Sequence, residues 1–247
     1  MITRIYEDYR RLSTNTAREI MRVVLEKPDA VLCLATGATP LGAYAEFVRQ
    51  AKMQRIDISG IQFVGLDEWV GIPPSNSGSC HYFLHRHLFQ PLQIEPRQIH
   101  LFDGMAADLQ DVCTRMDAHL SELGGIDFLL VGIGVNGHIG FNEPGVSFDL
   151  QAHVAALAPE TKTTAQKYFQ GETALEQGLT LGIRQIMDAR TIVMMANGAR
   201  KTSIIQAAIE QPVSSSVPGS VLQQHPNSLF FLDAEAAAQL QDSSRKA

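Results

Sequence analysis

Five short apolar runs, each followed by a turn and most by a helical pattern, decide what this chain can fold into. Ala30 to Leu34, Ile61 to Leu66, Phe128 to Ile133, Thr191 to Ala196 and Ser228 to Leu232 read as strands. Such unbroken runs belong to strands covered on both faces, as in a parallel sheet. Helical spacing fills the intervals. From Asp8 to Leu25 the positions Leu12, Thr16, Ile20 and Val23 or Val24 fall on one face. Thr39 and Pro40 suit the N-cap and first residue of a second helix. Further helices are expected around Phe83, Leu84, His87 and Leu88, over Asp103 to Leu123, from Lys162 to Phe169, and beyond Gly198 to Ile209. Strand–helix alternation predicts an α/β fold: a doubly wound, mainly parallel, Rossmann-like sheet with helices on both faces. With no internal repeat or linker, residues 1–247 read as one domain, and the polar end from Asp242 to Ala247 is expected to fray.

Composition narrows the function. A net charge of −6 argues against a nucleic-acid partner, which calls for a basic face, but allows a phosphorylated small molecule held by a few local cations. Cys33, Cys80 and Cys113 are odd in number and form no Cys-x-x-Cys pair, so they read as reduced, buried thiols acting as small hydrophobes. No apolar run is long enough to cross a bilayer, and Met1 to Arg11 lacks a secretory h-region, so the expected location is the cytoplasm. A homo-oligomer remains open.

In open α/β sheets ligands bind beyond the carboxyl ends of the strands, and four motifs fall there. Thr36-Gly37-Ala38-Thr39-Pro40 offers backbone N–H groups and a helix N-terminus to an anion; alone, it is equally a plain strand-to-helix turn. Asp67 and Glu68 end the second run. Adjacent acids there are awkward to pack, so at least one should face the pocket as a proton acceptor; the alternative is that one caps a turn and the other is solvated. Gly134 to Pro144 gathers Asn136, His138, Asn142 and Glu143 among glycines, close enough for a carboxylate to fix the imidazole tautomer. Asn197 to Lys201 follows the fourth run, and Lys201 could reach an anion in the first turn. Metal ligation is not indicated: His81, His85 and His87 imitate ligand spacing but read as rim residues of a helix.

Together these stretches resemble the glucosamine-6-phosphate deaminase family, within the wider group that includes 6-phosphogluconolactonases. Leu34 to Pro40 is similar to the family's phosphate loop, Leu66 to Trp69 to its catalytic-base motif, and Asn136 to Pro144 to its ring-opening loop. The resemblance implies isomerisation and deamination of an amino-sugar 6-phosphate, with no metal or organic cofactor. It implies Asp67 as the base at carbon, and His138, supported by Glu143, as the group that opens the sugar ring, with Asn136, where some members have aspartate, in the same catalytic set. Gly37, Ala38, Thr39, Lys201 and Lys167 would hold the phosphate, Lys167 standing where the family has an arginine. His153 and Ala155 replace the basic pair of allosteric members, so an activator site is not expected. Cys33 to Pro40 and Thr180 to Ile183 lean towards the galactosamine-6-phosphate branch. The alternatives are a lactonase-type sugar-phosphate hydrolase and a non-catalytic sugar-phosphate sensor; the latter would carry a preceding helix-turn-helix, which the chain lacks.

Overall fold

The computed structural model describes residues 1–245. Its strands are β1 (Ile2–Tyr6), β2 (Val31–Leu34), β3 (Gln62–Val64), β4 (Asp67–Trp69), β5 (Ile99–His100), β6 (Phe128–Val131), β7 (His153–Ala156), β8 (Gln177–Thr180), β9 (Thr191–Ala196) and β10 (Ser228–Asp233). The α-helices are α1 (Tyr9–Glu26), α2 (Leu41–Gln54), α3 (Cys80–Leu84), α4 (Gln90–Leu92), α5 (Leu109–Glu122), α6 (Pro159–Ala165), α7 (Ile183–Met187), α8 (Thr202–Glu210) and α9 (Asp242–Arg245).

Seven strands form a sheet in the order β1-β10-β9-β6-β2-β3-β5, every pair parallel. Its apolar runs are continuous because both faces are covered. In β2, Val31 and Cys33 belong to one core cluster and Leu32 and Leu34 to the other. In β9, Ile192, Met194 and Ala196 face the first cluster, Val193 and Met195 the second. Helices α1 and α2 pack on the second face. Asp8 caps α1 by accepting from Arg11 N at 2.7 Å, and the expected stripe Leu12, Thr16, Ile20, Val23 and Val24 is buried. Truncating a fully buried aromatic such as Phe230 or Phe231 to alanine should cost about 3–5 kcal/mol.

The strand order places the site. From β2 the chain moves outward through β3 to β5, returns to lay β6 against the other edge of β2, and continues through β9 to β10. The order therefore reverses between β2 and β6, and the loops beyond their carboxyl ends diverge to leave a crevice.

Several elements differ from the sequence-based expectation. The helix expected from Asp103 starts at Leu109, because Asp108 caps it by accepting from Asp111 N at 3.0 Å. The preceding residues turn instead: Asp103 accepts from Met105 N, and Gly104 O accepts from Gly71 N. Pro40, not Thr39, occupies the N-cap of α2, and no side chain caps it, because the Thr39 hydroxyl donates to Asn197 instead. β1, at the sheet edge, and the small antiparallel sheet β4-β8-β7 were not anticipated. Of the end expected to fray, 242–245 form α9, and Lys246 and Ala247 lie outside the described residues. Among the described residues no helix is long and apolar enough to cross a membrane.

Candidate active site

The turn after β2 is shaped to receive an anion. Gly37 has φ +103°, a left-handed conformation that suits glycine, and a side chain there would also press on the Tyr168 hydroxyl. Tyr9 ties the turn from behind: its hydroxyl donates to Thr39 O at 2.9 Å and accepts from Gly42 N at 2.9 Å. With the carbonyls engaged there, the N–H groups of Gly37, Ala38 and Thr39 make no hydrogen bond to protein among the described residues. Thr39 Oγ1 donates to Asn197 Oδ1 at 2.9 Å, joining this turn to the loop after β9.

The two adjacent acids separate into different jobs. After Val64 the chain leaves the main sheet, and Asp67 begins β4 opposite Thr180 of β8. Glu68, 1 % exposed, points away from the pocket and caps α3: its Oε1 accepts from Trp69 N and Cys80 N, its Oε2 from His81 N at 2.8 Å. Asp67 lines the pocket. Desolvation, against the opposing effect of the Cys80 thiol and with help from the Glu68 charge, raises its carboxyl from 3.8 to about 7. A carboxyl at that value can both take and return a proton near neutral pH.

His138 also lines the pocket, and its other face is secured by a short relay. Nδ1 lies 2.7 Å from Asn136 Oδ1, and Asn136 Nδ2 donates to Glu143 Oε2 at 2.9 Å. With the Asn136 amide oriented by the carboxylate, Nδ1 carries the proton and Nε2 is the basic nitrogen. Glu143 Oε2 is itself 3.4 Å from Nδ1, and Thr161 Oγ1 is 3.2 Å from it. Burial disfavours ionisation of Glu143, yet His138, Thr161 and Asn136 outweigh it and hold the carboxyl at about 2. The sequence predicted a direct carboxylate–imidazole pair. The amide in between is the closer partner, and Asn136 and Glu143 face a hollow behind the imidazole, not the pocket.

Lys201 and Lys167 reach the same pocket as the β2 turn. Lys201 Nζ donates to Ile133 O at 2.6 Å; burial first, then Lys167 and Arg200, lower its pKa to about 8. Lys167 is exposed, its Nζ 4.9 Å from the Tyr168 ring centre. Trp69 and Phe141 line the pocket and pack on each other at 4.4 Å between ring centres, and Trp69 also meets Phe169 edge-on at 6.2 Å.

The sequence-predicted residues thus converge, with Asn136 and Glu143 one layer behind. Cys80 was read as a plain hydrophobe. It is buried, but its Sγ lies 3.4 Å from Asp67 Oδ1. Tyr9 and Thr161 were missed, and no local signal marks them, since each reaches its partner across a long stretch of chain. His81 bonds to Phe102 O, and His85 packs edge-on to Phe89, so these two do not converge on a metal position.

The chain matches the family model described as glucosamine-6-phosphate isomerases/6-phosphogluconolactonase over residues 7–231. Glucosamine-6-phosphate deaminase of Geobacillus sp. is 38% identical over 97% of this chain and 96% of its own length. That of Lachnoclostridium phytofermentans is 40% identical over 89% of this chain and 93% of its own. Among solved structures, a monomeric glucosamine-6-phosphate deaminase superposes with a TM-score of 0.94 at 34% identity, covering 96% of this chain and 99% of that one. The 6-phosphogluconolactonase of Trypanosoma brucei, at TM-score 0.78 and 20% identity over 97% and 98%, shares the fold.

Proposed function

The chain belongs to the glucosamine-6-phosphate isomerase/6-phosphogluconolactonase family, its activity is the isomerisation and deamination of an amino-sugar 6-phosphate, and we propose the residue roles that produce it. One observation carries the assignment. A carboxyl raised to about 7 and an imidazole with Nδ1 tied down share one pocket with an anion-binding turn and two lysines.

The 6-phosphate sits on the N–H groups of Gly37, Ala38 and Thr39, with Lys201 and Lys167 neutralising its charge. His138 Nε2 moves the proton between the C1 hydroxyl and the ring oxygen, opening the pyranose to the aldehyde. The Asp67 carboxylate then removes the C2 proton. The C–H electron pair forms the C1–C2 double bond, the carbonyl pair moves onto O1, and O1 takes the proton released by the substrate's own C2 ammonium, giving the enol hydroxyl and a free amine. Asp67 returns its proton to C1 as the nitrogen lone pair forms an iminium at C2. Water adds there and ammonia leaves, giving the ketose 6-phosphate. Asn136 and Glu143 hold the imidazole in place through its Nδ1. No step calls for a metal or an organic cofactor. The enzyme is proposed to act in the cytoplasm as one domain over 1–247, on a small sugar phosphate and not on nucleic acid.

We propose glucosamine 6-phosphate as the preferred epimer, the substrate named for the relatives at 38–40% identity. Of the two stretches that leaned towards galactosamine, the one at Thr180 to Ile183 gives no counterweight: Thr180 and Leu181 are fully buried, and the Thr180 hydroxyl accepts from Phe141 N. The test is ammonia and ketose-phosphate formation from both epimers, beside hydrolysis of 6-phosphogluconolactone. Equimolar products with the glucosamine epimer favoured are expected. Lactone hydrolysis without deamination would overturn the residue roles.

A further inference from the structure

Cys80 begins α3 at the wall of the pocket, and three observations give its thiol a task that the reaction above does not assign. Its Sγ lies 3.4 Å from Asp67 Oδ1, and among the described residues it is the one hydrogen-bond partner of that carboxyl. Its Sγ is also 3.3 Å from the hydroxyl of Thr36, the first residue of the turn that receives the phosphate. The backbone carrying it is fixed independently: Cys80 N and His81 N donate to Glu68, and Ser79 Oγ accepts from Tyr82 N. The thiol's aim is therefore set by the backbone.

We propose that Cys80 is a positioning residue for Asp67, its S–H holding Oδ1 so that Oδ2 is presented to the substrate carbon, while Thr36 donates to the sulfur and links the base to the phosphate turn. This inference rests on the reading of Asp67 as the base. The thiol is 4 % exposed, and burial together with the charges of Glu68 and Asp67 pushes its pKa well up, so it stays protonated and remains a donor. A thiol suits the position chemically. Any donor to the carboxylate favours the ionised form and weakens the base. A hydroxyl, the stronger donor, would do so more than S–H, whereas no donor would leave the carboxyl free to rotate away from the carbon.

The experiment compares full-length wild type with Cys80→Ala, Cys80→Ser, Thr36→Val and Asp67→Asn. The readouts are the pH profile of kcat/KM with the amino-sugar 6-phosphate, and exchange of its C2 proton with solvent. Cys80→Ala should move the acid limb to higher pH by about 0.5–1 unit and lower kcat about 3–10-fold, with little change in KM. Cys80→Ser should move the limb the other way and recover part of kcat. Thr36→Val should shift the limb less than Cys80→Ala. A purely packing role predicts lower thermal stability with an unmoved limb. That result, or shifts of the same sign for alanine and serine, overturns the proposal. Should the alanine variant not fold, the sign for serine decides. If Asp67→Asn still exchanges the C2 proton at the wild-type rate, the base assignment fails and this inference with it. A dead Asp67→Asn beside unmoved Cys80 variants defeats the inference alone.

Discussion

The imidazole of His138 fills the space that a side chain on Gly134 would need: a Cβ there would lie 2.2 Å from its Cε1. The two residues are also joined through the backbone, Gly134 N donating to His138 O at 2.8 Å. The loop after β6 thus folds onto itself, and the bare backbone of Gly134 forms one wall of the histidine's seat.

Gly134→Ala should therefore behave as a histidine-displacement variant. The ring cannot stay on Asn136 while accommodating a methyl, and a misplacement of about 1 Å can cost 10²-fold in rate. The expected result is a kcat/KM loss of about 10–100-fold, with the loss smaller for an acyclic substrate analogue. Wild-type turnover by a folded Gly134→Ala protein would show that the ring has room to move.

How much of this was legible beforehand depends on the range of the interaction. β9 was read to the residue and the α1 stripe in full, because continuous apolar runs and helical spacing are local consequences of two-sided and one-sided burial. The small sheet of β4, β7 and β8 was not, because strands of 3–4 residues with mixed polarity have no period to detect. Asp67 was singled out as the base through the family resemblance, but the task of Glu68 became clear only when α3 brought the Cys80 and His81 amides onto it. The Asn136 amide between His138 and Glu143 was likewise invisible, since spacing places groups near each other without ordering them.

Lys201 gives the phosphate site a pH signature. Its pKa of about 8 means that the free enzyme loses this charge as pH rises through 8, whereas a bound phosphate favours the charged form. KM should therefore climb above pH ~8 in the wild type, and should be strongly raised but flatter with pH in Lys201→Ala. Unphosphorylated amino sugars should be poor substrates for both. Equal turnover of glucosamine with and without its phosphate would remove Lys201 and the β2 turn from this role.

Asp67 should cost the fold stability in exchange for its basicity. Its folded pKa, about 7, lies above the ordinary 3.8, so between these values the folded state binds more protons than the unfolded state. Stability contributed by this group consequently falls as pH rises from about 4 to 7. Asp67→Asn removes the half-buried, desolvated charge and should raise stability by about 1–2 kcal/mol at pH 8, with the advantage gone near pH 4. Thermal or urea unfolding at the two pH values measures the difference. A variant destabilised equally at both would mean that the carboxyl is held by favourable contacts.

The two proton-transfer groups should fail in different ways. Asp67→Asn keeps shape but lacks a basic oxygen, so exchange of the substrate's C2 proton with solvent should collapse; removal of a positioned base typically costs about 10²–10⁴ in rate. His138→Gln should spare that exchange in an acyclic analogue and impair turnover of the cyclic substrate. Glu143 and Asn136 act through Nδ1 of His138, at 3.4 and 2.7 Å, so Glu143→Gln and Asn136→Ala should reproduce the His138→Gln pattern in milder form. Because Glu143 is held at about 2, below its ordinary 4.5, its support is complete above pH ~4.5 and lost only as pH falls through about 2. The acid limb of activity near pH 7 should accordingly survive in Glu143→Gln, since it reports Asp67. Measuring C2 exchange, turnover of cyclic and acyclic substrates and the acid limb in all four variants separates the roles. If Glu143→Gln abolishes C2 exchange in the acyclic analogue while leaving ring opening intact, the relay serves the carbon and not the ring oxygen, and the division between Asp67 and His138 is drawn in the wrong place.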